Sequence, residues 1–152
     1  MNPYLVLFFM SLLPVSELRG SIIYAAAQDL PFLPSYIIAV IGNFLPVCLL
    51  ILFSKQLLNY LSSLPKVGEF FKRYLRRANE KALNIGHYEL LGLLLFVAVP
   101  LPMTGAWTGS VIAAILQLRL RPAALTILCG ICISGIVMGI VSYGVSGLLR
   151  LF

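Results

Sequence analysis

Negative charge is scarce in this chain. Five Asp and Glu residues stand among 152, and charged residues of both signs make up only 11%, while 61% are hydrophobic. A soluble domain carries about 25% charged and roughly 45–50% apolar residues, and a globule of this size has too little interior to hide the surplus. The composition excludes a soluble helical domain and makes lipid the solvent for most of the chain. Histidine is nearly missing as well. His87 is the only one, and with three cysteines the chain shows no metal cluster, catalytic triad pattern or nucleotide loop. Neither soluble-enzyme chemistry nor a cofactor is expected. Cys129-Gly-Ile-Cys132 has the spacing of a redox pair and shares one helix face. Cys48, Cys129 and Cys132 all lie in apolar runs, where cysteine also serves as a small apolar side chain.

Basic residues are present but unevenly spread. The net charge is +6, and Lys66, Lys72, Arg73, Arg76, Arg77 and Lys81 crowd one stretch, offset only by Glu69 and Glu80. A basic cluster between apolar regions marks the cytoplasmic side and can touch anionic headgroups. It is too short and too closely flanked by apolar sequence to predict nucleic-acid binding. Val67, Phe70, Phe71, Tyr74 and Leu75 recur among these cations at helical spacing, which predicts an amphipathic helix on the cytoplasmic membrane surface. His87 follows it, read as interfacial with a proton-handling role as the alternative.

The apolar runs differ in length. Pro3–Leu13 spans about 16 Å as a helix, half the hydrocarbon core. Pro14 then removes a backbone donor and breaks it. Gly20-Ser21 is expected to open a second short run that ends at Gln28-Asp29. Tyr4–Leu13 and Ala25-Ala26-Ala27 imitate a signal peptide and its cleavage site. No Lys or Arg precedes the run, however, and Glu17 and Arg19 interrupt it, so cleavage is not expected. Pro34–Leu61 is long enough to span, with Pro46 predicted to kink it. Tyr88–Val99 is again short and is broken by Pro100 and Pro102. Gly109–Leu118 returns, Arg119 and Arg121 close it, and Pro122 starts a last long helix running to about Leu149. Two half-length helices around a polar break make a re-entrant hairpin, tolerated at depth only inside protein or beside a wet cavity.

The halves align on each other. With one residue skipped before Pro34 and Pro122, Gly20/Gly109, Ser21/Ser110, Ile23/Ile112, Ala25/Ala114, Gln28/Gln117, Pro34/Pro122, Gly42/Gly130 and Ser54/Ser142 match. Each unit, one hairpin plus one spanning helix, crosses the membrane once, so the units must be inverted. A cytoplasmic linker puts Asp29 outside and Arg119 and Arg121 inside, which the positive-inside rule also requires. The expected fold is an all-α integral membrane protein of one domain, 1–152. Repeat one (1–62) and repeat two (88–152) are joined by the basic linker (63–87), in a multi-pass arrangement in the cell's inner membrane. Hairpins entering from opposite faces meet near the midplane, as in transporters built from inverted repeats.

The first tip reads Pro14-Val-Ser-Glu-Leu-Arg-Gly-Ser21 and the second Pro100-Leu-Pro-Met-Thr-Gly-Ala-Trp-Thr-Gly-Ser110. These stretches and the chain length resemble the small multidrug export family of prokaryotic membrane proteins. The hairpin-plus-helix plan is similar, more distantly, to the DedA superfamily. The latter resemblance implies movement of lipid phosphates across the membrane, with acidic and arginine residues at the hairpin tips as the functional ones. Glu17 and Arg19 match that pattern, whereas the second tip carries no charge.

Charged groups in a membrane interior cost at least ~2.5–3.5 kcal/mol each and mark function by default. Arg19 offers a planar fork suited to phosphate or carboxylate. Gly20-Ser21 and Gly109-Ser110 are expected to supply free helix-end amides, and Ser16, Ser21, Thr104 and Thr108 neutral donors. Trp107 is placed to stack on a substrate or wall the cavity. Pro14, Pro100 and Pro102 act as hinge and break residues. An alternative is that Glu17 and Arg19 pair with each other, or reach across to the other hairpin and hold the tips together. The function expected is a transporter or flippase-like carrier for a small amphipathic, anionic substrate. A proton-coupled efflux protein for organic cations, with Glu17 as proton site, is the alternative. The expected partners are membrane lipids, the substrate, protons and a second copy in a homodimer. Gly135 and Gly139 form a small-residue strip for helix packing, within one chain or in that dimer.

Overall fold

The computed structural model describes residues 2–63, 88–101, 104–116 and 118–149, all of them helical or in short connections, with no strand among the described residues. Among the described residues the helices are α1 (Pro3–Leu12), α2 (Glu17–Ala27), α3 (Phe32–Ser63), α4 (Tyr88–Ala98), α5 (Ala106–Ile115) and α6 (Leu120–Leu149). The basic linker with His87, and also Pro102 and Gln117, lie outside the described residues.

Local chemistry sets the ends. Asn2 caps α1 by accepting from the Tyr4 amide at 3.0 Å, and Pro3 fills the first turn, where a missing N–H costs nothing. Leu13, next to Pro14, is forced into extended backbone (φ −76°, ψ 140°), and the helix stops. The Ser16 hydroxyl donates back to the Met10 carbonyl and satisfies one acceptor that the break exposes. α2 then opens at Glu17, one turn earlier than the sequence predicts, with Glu17 itself left-handed at φ 47°. α5 likewise opens at Ala106 rather than Gly109.

α3 has 32 residues, about 48 Å of helix. Its Phe32–Phe53 stretch and Leu120–Val145 of α6 are each long and apolar enough to cross a membrane. α3 continues through Pro46, which leaves the Gly42 carbonyl without its helical donor. Leu5, Phe9, Leu33, Ile41, Leu49, Phe53, Leu125 and Ile140 project outward uncovered, an apolar perimeter suited to lipid. The interior holds Leu7, Leu18, Ile22, Val47, Ile51, Val97, Ile127 and Ile131.

α3 packs against α1, α2, α5 and α6, and α2 and α5 both reach α6. Small residues set the spacing. A Cβ on Gly42 would meet the Phe8 carbonyl of α1 at 3.0 Å, and one on Gly130 would meet Val97 Cβ of α4 at 2.7 Å. These two glycines are matched in the sequence alignment of the halves, and each seats the first short helix of its own half. Gly135 and Gly139 face Tyr36 and Phe32 of α3. Of the two roles expected for the small-residue strip, Gly135 and Gly139 take the first, packing within the chain. The three cysteines are free. Cys129 is exposed, and the Cys132 carbonyl accepts from the Tyr36 hydroxyl at 3.0 Å.

Candidate functional site

The two breaks, Leu13–Ser16 and Val99–Gly105, face each other. Glu17 is buried, and its carboxylate lies against Gly105, where a Cβ would collide with both carboxylate oxygens. Gly105 is the N-cap of α5 and provides no side-chain cap of its own. Glu17 takes that role from another helix, with the Trp107 amide 3.5 Å from Oε1 and the Ala106 amide beside it. A carboxylate at the positive end of a helix dipole is favourably situated.

Arg19 makes the complementary contact. Its guanidinium donates to the carbonyls of Leu101 and Thr104, to the Val99 carbonyl at 3.2 Å and to Thr104 Oγ1 at 3.2 Å. These acceptors belong to the stretch just past the C-terminus of α4, where carbonyls lack helical donors and the dipole favours a cation. Thr104 knits the same bend. Its Oγ1 accepts from the Leu101 amide at 3.2 Å and lies 2.9 Å from both the Val99 and Leu101 carbonyls. One tip thus holds both helix ends of the other with opposite charges. Of the two pairing alternatives in the sequence, the geometry realises the one that reaches across.

Ser16, Glu17, Arg19, Gly20, Thr104 and Thr108, with Pro14 and Pro100, line one cavity of about 380 Å³. The other predicted residues turn elsewhere. Ser21 and Ser110 are fully buried and donate to the carbonyls one turn back, of Glu17 at 2.8 Å and Ala106 at 2.6 Å. The Gly20 and Gly109 amides bond Ser16 and Gly105 carbonyls at 2.7 and 2.8 Å, and Gly109 is packed on Val97. The expected free helix-end amides at Gly20-Ser21 and Gly109-Ser110 are therefore absent, because each helix begins a turn sooner. Trp107 meets Glu17 through its main chain, and its indole N–H is buried without a partner among the described residues.

Asn43 of α3 and Ser134 of α6 are not among the residues expected from the sequence. Each is 3% exposed, and Asn43 Oδ1 and Ser134 Oγ have no hydrogen-bond partner among the described residues. Both line a second cavity of about 10 Å³ together with Glu17 and Arg19. Their signal was available as isolated polar residues midway along two apolar spans.

A family model described as "Putative small multi-drug export protein" matches residues 17–137. No curated protein and no solved structure matches the chain significantly. The match begins at Glu17, after the first break, and takes in Arg19, the second tip and most of both long helices, so this chain belongs to the small multi-drug export protein family.

Proposed function

We propose that the protein is a transporter or flippase-like carrier for a small amphipathic anion, with the Glu17/Arg19 tip as its gate. One observation carries this reading. Among the described residues the hydrogen bonds of Arg19 all go to neutral oxygens; Glu17, the carboxylate near enough to act on its charge, lines the same 380 Å³ cavity and itself caps α5. A phosphate or carboxylate is the natural complement to that fork. The cavity shares Ile23 and Met138 with an apolar groove of about 350 Å³ along α2 and α6, lined further by Ala26, Ala27, Val141 and Val145. A polar head and an apolar tail fit this pair of spaces. Ser16 and Thr108 stand at the head end. The lipid-phosphate version leans also on the resemblance to the DedA superfamily.

In this reading the short helix pairs α1/α2 and α4/α5 are re-entrant hairpins of two inverted repeats in the inner membrane. The first enters from outside, leaving Asp29 external, and the second enters from the cytoplasm with Arg119 and Arg121. The matched seating of α1 on Gly42 and α4 on Gly130 supports the repeat. Two long helices shield two hairpins poorly from lipid, so a homodimer is part of the proposal, its contact on a face other than Gly135/Gly139.

The family description favours a second reading, proton-coupled export of organic cations with Glu17 as the proton site. Arg19 in the same wall repels such cargo. Binding to the purified protein in bilayers separates the two. A single-chain lipid phosphate should bind saturably and a lipophilic cationic dye should not. Dye binding unaffected by the phosphate would reverse the assignment.

A further inference from the structure

Glu17 faces two spaces. One is the large cavity, which Gly105 at the start of α5 also lines. The other is the small cavity of about 10 Å³, which reaches Asn43 of α3 and Ser134 of α6. We infer that this small cavity is a binding site for a single water, held by Asn43, Ser134 and Glu17, through which Glu17 gains and loses a proton.

The inventory of groups supports one neutral, two-way hydrogen-bonding molecule. Among the described residues Asn43 Oδ1 is an acceptor with no donor, and Ser134 Oγ is equally unpartnered, each on a residue 3% exposed. Unsatisfied buried polar atoms are rare and costly. An ionised Glu17 cannot satisfy Asn43 Oδ1, since a carboxylate only accepts. Water supplies two donors and two acceptors, and space of about 10–15 Å³ open to the centre of a water-sized sphere holds one molecule. A metal cation fits less well, because Arg19 lines the same cavity.

The site works in both protonation states. With Glu17 ionised, the water donates one hydrogen to the carboxylate and one to Asn43 Oδ1, and accepts from the Ser134 hydroxyl. A proton arriving at this water as hydronium passes to the carboxylate oxygen, leaving a neutral carboxyl and a neutral water. The carboxyl then donates to the water, which donates to Asn43 Oδ1 and Ser134 Oγ. Release runs in reverse. Among the groups facing Glu17, Arg19 of its own helix carries charge. α5 brings the Ala106 and Trp107 amides, α3 Asn43, α6 Ser134 and α4 Val97. A neutral carboxyl is the weaker cap for α5, so protonation loosens the hold of one tip on the other.

This inference deepens the gate reading but does not require an anionic substrate. Infrared difference spectra between high and low pH, recorded on the full chain in bilayers in ordinary water and in H2 18O, test it. A protonated-carboxyl band lost in Glu17→Gln is expected, together with an oxygen-isotope-shifted O–H band of one internal water. Asn43→Leu and Ser134→Ala should each abolish the water band and move the carboxyl band to higher frequency. Absence of the water band in the unaltered protein, or its survival in Asn43→Leu, overturns the site. Absence of a carboxyl band assignable to Glu17 overturns the proton step. Lipid-phosphate binding measured on the same samples reports on Arg19 separately.

Discussion

Glu17 of α2 occupies the space that a side chain on Gly105 would need, so the cap of α5 comes from a helix in the other half of the chain. Gly105 has extended backbone (φ −153°, ψ −173°) that any residue can adopt. Its requirement for glycine is therefore a requirement for Glu17. Gly105→Ala should destabilise the protein by about 1–3 kcal/mol, the range for forcing atoms into a filled space. In a Glu17→Ala background the same change should cost almost nothing. Thermal unfolding of the four proteins in a double-mutant cycle measures this coupling. Equal costs in both backgrounds would contradict it.

Thr104 is the residue of the second tip that accepts from Arg19 through its side chain as well as its carbonyl. Thr104→Val keeps the shape and removes the hydroxyl, taking one charged hydrogen bond and the internal ties of the bend. A loss of about 1–2 kcal/mol is expected, with Thr104→Ser close to the unaltered protein. Thermal unfolding is again the readout, and equal stability of the Val and Ser variants would show that the hydroxyl contributes nothing.

Gly139 lies against the ring of Phe32. Gly139→Leu should therefore lower the unfolding temperature of the protein independently of its concentration. Phe32→Ala, which opens room, should recover part of the loss in the double variant. A concentration-dependent loss confined to the assembled form would instead return this face to a dimer contact.

Much of this arrangement is legible in the sequence, and for physical reasons. Pro14 and Pro100 announce breaks because a missing donor and a restricted preceding residue cannot be hidden, and the apolar lengths separate half-helices from spans. Glu17 and Arg19 stand out because charge is costly among such neighbours. Helix starts were legible only to within a turn. Gly20-Ser21 and Gly109-Ser110 looked like helix openings, but Glu17 and Ala106 open the helices, and the partner that permits this lies far off in sequence. That Arg19 meets Val99, Leu101 and Thr104 depends on how the halves dock, which no local pattern encodes. Asn43 and Ser134 passed unnoticed because one amide and one hydroxyl in a long helix become informative only once they are found to share a cavity with a carboxylate.

Topology provides a further check. With inverted repeats, a cysteine at residue 29 should react with an impermeant maleimide from outside, and cysteines at 72 and 119 only from the cytoplasmic side. Labelling of 29 and 119 from one face would contradict the inversion.

Binding at Arg19 tests the central claim most directly. A single-chain lipid phosphate is titrated into purified protein in bilayers, with thermal stability recorded on each sample. Arg19→Lys keeps a charge but loses the planar fork, so it should remain folded and bind at least tenfold more weakly. Arg19→Ala should lose binding and transport together, with a stability loss of about 1.5–3 kcal/mol from the vacated carbonyls. Unchanged binding in a folded Arg19→Ala protein would make Arg19 a tie between the tips alone and contradict the anion site.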